Sequence, residues 1–70
     1  MKRRNLVLII NGEPSDAIGR TLLEYLQQAG LDPARVAVEL DGEIIPRDRY
    51  RATLLGDGQR VEIVRFVGGG

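Results

Sequence analysis

The side chains most often entrusted with chemistry are missing from this chain, which has neither cysteine nor histidine. Without cysteine there is no thiol nucleophile, no thiolate metal site and no disulfide. Without histidine the usual general base near neutral pH is absent, as is the commonest metal ligand. Side-chain catalysis would have to rest on carboxylates, Lys2, Tyr25 or Tyr50. One further reactive group is the main-chain carboxylate of Gly70, at the end of Gly68-Gly69-Gly70. An α-carboxyl has a reference pKa of roughly 3.3 to 3.7, so at neutral pH it is an anion that needs no base to prepare it. Three glycines extend about 10 Å, a thread that can enter a narrow site while a folded domain stays outside. A Cβ on Gly69 or Gly70 would widen the thread and restrict its angles. The ordinary alternative is a frayed end without a role.

Other clusters have plainer readings. Arg47, Arg49 and Arg51 surround Asp48 and Tyr50, but ten basic residues balance ten acidic ones. At zero net charge no global field recruits nucleic acid or an anionic membrane. A solvated loop is the first reading of the arginines and partner docking the second. Glu39, Asp41 and Glu43 straddle a turn, where exposure explains them better than a metal. Tyr25 and Tyr50 read as semi-buried packing residues with wet hydroxyls. Seventy residues make one small domain, which buries only about 60% of its unfolded surface and has little room for a substrate pocket. Met1-Lys2-Arg3-Arg4 before the apolar run Leu6 to Ile10 has the flavour of a signal peptide, yet five apolar residues are too few. A soluble cytoplasmic protein is expected.

The elements that would position the terminus follow from the pattern. Leu6 to Ile10 suits a buried strand, and Asn11-Gly12 a tight hairpin turn. The second strand is weakly written: only Ala17 and Ile18 are apolar between Pro14 and Gly19, so a short edge strand is expected there. Thr21 and Glu24 form a capping box for a helix from about Leu22, with Leu22, Leu23, Leu26 and Ala29 on its apolar face. Gly30 ends it, Leu31 folds back, and Asp32-Pro33 prevents resumption. Val36 to Leu40 and Glu43 to Ile45 flank Asp41-Gly42, a hairpin signal. Pro46 to Leu55 reads as a connecting turn or short helix anchored by Leu54 and Leu55. Gly56-Asp57-Gly58 turns the chain into a last strand, Val61 to Val67. Residues 1–67 are thus expected to form the domain and residues 68–70 an exposed, mobile tail.

One helix across a mixed sheet buries these faces economically, and a right-handed crossover sets the first and last strands side by side and parallel. That is an α+β fold of the β-grasp, or ubiquitin-like, kind. On the last strand, alternation puts Val61 and Ile63 on one side and Glu62, Val64 and Phe66 on the other. With Val61 and Ile63 toward the helix, Val64 and Phe66 are left to solvent as an apolar docking patch just before the tail.

The sequence resembles the ThiS family of sulfur carriers, which supply sulfur for the thiazole ring of thiamin. The resemblance runs through Asn11-Gly12-Glu13-Pro14, Gly30-Leu31-Asp32-Pro33, Arg35-Val36-Ala37-Val38-Glu39-Leu40, Gly42-Glu43-Ile44-Ile45-Pro46-Arg47, and Asp57-Gly58 with Val61-Glu62-Ile63-Val64 into the glycine end. Between Pro14 and Gly19 the chain is about a residue shorter and less apolar than is usual in that family. The resemblance implies no bound cofactor and no turnover by the chain itself. An adenylating enzyme resembling ThiF would use ATP on the Gly70 carboxylate, a sulfur donor would displace AMP to leave a thiocarboxylate, and a thiazole synthase resembling ThiG would take the sulfur. The missing histidine fits, because an anionic carboxylate attacks the α-phosphorus of ATP without a general base. The missing cysteine fits too, because carried sulfur must then sit on the carboxylate or on an added group. Three rivals stand beside this reading: a MoaD-like small subunit of molybdopterin synthase, a ubiquitin-like interaction module that is never activated, and, remotely, a carboxylate-based hydrolase, for which no pair of acids is evidently buried. The run Glu62 to Val67 followed by three glycines favours the thiamin carrier over the first.

Overall fold

The computed structural model describes residues 7–67; Met1 to Leu6 and the Gly68, Gly69 and Gly70 of the expected tail lie outside the described residues. Among the described residues the sheet has five strands: β1 (Leu8–Ile10), β2 (Glu13–Ser15), β3 (Val36–Leu40), β4 (Glu43–Ile44) and β5 (Arg60–Arg65). Their order across the sheet is β2-β1-β5-β3-β4, with β1 and β5 parallel and every other pair antiparallel. One helix, α1 (Leu22–Gln28), crosses one face. This is the expected β-grasp arrangement, with the first and last strands adjacent at its centre.

Two turns set the registers. Asn11 and Gly12 both take positive φ, 51° and 83°, as do Asp41 and Gly42 at 51° and 88°. Two left-handed residues in succession make the turn whose twist matches the flanking strands. The first turn places Ile10 opposite Glu13 at once, so β2 begins at Glu13 and lies upstream of the expected Ala17 and Ile18. Pro14 is tolerated because β2 is an edge strand. The Ser15 hydroxyl then accepts from the Ala17 amide at 3.2 Å, and Ala17 enters the core as a turn residue. The last strand is shifted as well, running from Arg60 to Arg65 instead of to Val67, because β3 supplies no partner beyond Val36 opposite Arg65. One more bond follows, from the Phe66 amide to the Arg35 carbonyl at 2.8 Å.

The capping box at α1 is complete: the Thr21 hydroxyl accepts from the Glu24 amide at 3.0 Å and the Glu24 carboxylate accepts from the Thr21 amide at 2.9 Å. At the other end the Leu31 amide donates to the Leu26 carbonyl and the Gly30 amide to that of Gln27, a Schellman closure that requires Gly30 at φ 75°. Leu22 and Leu26 are fully buried against Leu8, Ile10, Val36, Val38, Val61 and Ile63. Ala29, expected on the apolar face, is exposed: it is the C-cap, where the chain is already turning off the sheet. Leu55 is buried but its expected co-anchor Leu54 is 63% exposed. Leu54 bridges Thr21 in extended conformation, and neighbours in extended chain point to opposite sides.

Candidate functional site

Strand β5 is held on both edges and on one face, and that leaves its other face to do something else. Val61 and Ile63 are buried beneath α1, while Val64 and Phe66 are 57% and 55% exposed. Residues directly opposite across a pair of strands share a face. Ala37 lies opposite Val64 and Glu39 opposite Glu62, and Glu39 in turn opposite Ile44 of β4. The open face therefore carries Ala37, Ile44, Val64 and Phe66 as apolar groups around the facing carboxylates Glu39 and Glu62. Ile44, the most exposed of these at 71%, was not singled out from sequence. The Asp41-Gly42 turn was the available signal, because a two-residue turn fixes Glu39 against Ile44 and thereby assigns Ile44 to the face opposite the helix.

The candidate catalytic side chains are arranged otherwise. Lys2 lies outside the described residues. Tyr50, expected to be half-buried, is 3% exposed within the turn of 3₁₀ helix Arg47–Ala52. Burial pushes its pKa up and the Arg47 guanidinium only partly opposes this. Its hydroxyl is thus protonated at neutral pH, which rules it out as a base there. An open groove of about 330 Å³ runs beside it, lined by Leu23, Pro33, Arg47, Asp48 and Arg51. No nucleophile-and-base pair faces that groove. Among the described residues no group of three or more acidic, histidine or cysteine side chains is placed to hold a metal. Asp41, from the acidic hairpin, instead accepts from the Arg60 amide at 2.9 Å. No described helix is long and apolar enough to cross a membrane.

Among the described residues the arrangement offers, in place of a catalytic cluster, a sheet face on which Ala37, Ile44, Val64 and Phe66 flank the carboxylates Glu39 and Glu62. β5 carries that face toward the last residues. Val67 is 88% exposed, and the glycines that follow it, including Gly70, lie outside the described residues.

Comparison with known proteins agrees with this shape. The family model described as the ThiS family matches residues 7–70. The chain is 41% identical over 64 residues to a thiazole synthase of Paramagnetospirillum magneticum, covering 90% of this chain. It spans only 20% of the length of that relative and 19% of a second thiazole synthase, from Magnetococcus marinus. It is 38% identical to the sulfur carrier protein ThiS of Thermus thermophilus, with 87% of this chain and 95% of that one aligned. The crystal structure of the thiamine biosynthesis protein ThiS from Geobacter metallireducens superposes with a TM-score of 0.74 at 36% identity, covering 93% of this chain and all of the other. The chain belongs to the ThiS family.

Proposed function

We propose that this protein is a sulfur carrier of thiamin biosynthesis whose reactive group is the Gly70 carboxylate. A ThiF-like enzyme adenylates it: a carboxylate oxygen attacks the α-phosphorus of ATP and pyrophosphate leaves. A persulfide donor then attacks the acyl adenylate through its terminal sulfur and AMP departs; a thiol of the partner enzyme cleaves the resulting acyl disulfide, leaving the donor in a mixed disulfide and the terminus as a thiocarboxylate. A ThiG-like thiazole synthase receives that sulfur. ATP and the donor are substrates of the partner enzyme, and this chain supplies only its end and a surface by which to be held.

The observation that carries the reading is β5 itself, buried on one side by Val61 and Ile63, exposing Val64 and Phe66 on the other, and leading directly into Gly68-Gly69-Gly70. Family membership supports it. So do the thiazole synthases, a fifth of whose length is similar to this chain, as expected if carrier and synthase act together. The exposed pair Val64 and Phe66 is the apolar centre of the docking patch, and central aromatic anchors dominate such interfaces.

Two variants test the claim on the terminus. Adding one residue after Gly70, or deleting Gly70, should abolish ATP-dependent activation and leave the thermal melt unchanged. Activation that survives the added residue, with the end shown to be unprocessed, rules the mechanism out. Rescue of a thiamin-requiring strain, and not of one requiring molybdenum cofactor, assigns the pathway.

A further inference from the structure

Strand β5 is longer than the strand on its β1 side. Strand β1 stops at Ile10, level with Val61, and the chain turns away through Asn11 and Gly12. Backbone groups alternate along a strand, so those of Val61 and Ile63 point toward β1 and those of Glu62 and Val64 toward β3. Asn11 serves both of the former. Its amide donates to the Val61 carbonyl at 2.8 Å, and its side-chain Oδ1 accepts from the Ile63 amide at 2.7 Å across 52 positions of sequence. One turn residue thereby replaces the rung that β1 no longer supplies. Asp41 fastens the other edge in the same manner, with Oδ1 accepting from the Arg60 amide at 2.9 Å and its own amide donating to the Arg60 carbonyl at 2.8 Å.

We propose that Asn11 is a positioning residue for the docking face: by holding Ile63 it fixes the twist of the segment that presents Val64 and Phe66. Beyond Ile63, β5 pairs among the described residues only with β3 and with Arg35. A strand bonded along a single edge twists more freely than one held on both. Val64 and Phe66 sit two residues apart on one face, so twist sets the direction in which they are aimed together. The inference rests on the carrier reading, because the activating enzyme is the partner that would sense this aim. Asn11 itself is separable from its turn. Glycine takes a φ of 51° readily but brings no acceptor, whereas aspartate tolerates that φ and brings one.

The test uses the full chain as wild type, Asn11→Gly and Asn11→Asp, with a ThiF-like enzyme and ATP–pyrophosphate exchange as readout, alongside hydrogen exchange of the Ile63 amide. Asn11→Gly should speed Ile63 exchange and raise KM for the carrier about five- to tenfold, the factor one neutral hydrogen bond commonly carries, with kcat unchanged. Asn11→Asp should return both quantities to wild type. An Asn11→Gly variant with wild-type KM despite faster Ile63 exchange overturns the proposal. So does an Asn11→Asp variant that stays with the glycine variant, or a loss of activation that merely tracks the folded fraction. Wild-type protein that the enzyme never activates overturns the carrier reading itself, a result distinct from all of these.

Discussion

Phe66 is the residue at which folding and the proposed docking can be told apart. It is 55% exposed and lies beyond the last ladder pair of β5, so its side chain fills no core volume and its removal leaves no cavity. Phe66→Ser should therefore leave the unfolding midpoint nearly unchanged while weakening binding to the activating enzyme by about 1 to 3 kcal/mol, the range for a central interface aromatic. Calorimetric titration beside a urea melt checks both. A collapsed melt with unchanged affinity per folded molecule would place the ring in the core. Tyr50 behaves in the opposite way. Burial raises its pKa above the ordinary value, so at alkaline pH the unfolded chain releases that proton first. Its contribution to stability is complete below about pH 10 and is lost as pH rises through the higher folded value. The urea midpoint of wild type should thus fall more steeply above about pH 10 than that of Tyr50→Phe, and parallel curves would contradict this.

Among the elements, α1 depends most visibly on its ends. It has seven residues, too few to stand without caps and packing. Thr21→Ala removes the acceptor for the Glu24 amide and should cost about 1 kcal/mol in a urea melt; Thr21→Ser should recover most of it. The cap was legible in sequence because its two partners lie three residues apart. So were the turns Asn11-Gly12 and Asp41-Gly42, the Gly30 stop, and the alternation that buries Val61 and Ile63. Each is a local rule about φ or periodicity. What escaped was how such devices place the residues next to them, and one contact with distant chain. The start of β2 was fixed by turn register rather than by its own apolar residues, Leu54 was turned outward by its bridge to Thr21, and Ala29 was lifted off the core by the Schellman closure. The side chains of Asn11 and Asp41 were invisible for another reason. Their types were already explained by turn geometry, and nothing in the sequence says that the same atoms also bind β5.

At the scale of the molecule, one core lies beneath the sheet, and the proposed chemistry is assigned to Gly70. Leu26 is fully buried at the centre of that core, and Leu26→Ala should cost about 2 to 5 kcal/mol, a large share of what so small a domain possesses. Activation by the partner, measured per folded molecule, should be unaltered by it if, as proposed, the Gly70 carboxylate is the group that reacts. That division holds only if the sulfur sits on the end of the chain. The most direct measurement is therefore the intact mass of the protein after incubation with ATP, a ThiF-like enzyme and a sulfur source, with fragmentation to locate any change. The expected result is a gain equal to one sulfur in place of one oxygen, confined to Gly70. An unchanged mass with an enzyme known to be active, or sulfur found on any other residue, would contradict the account.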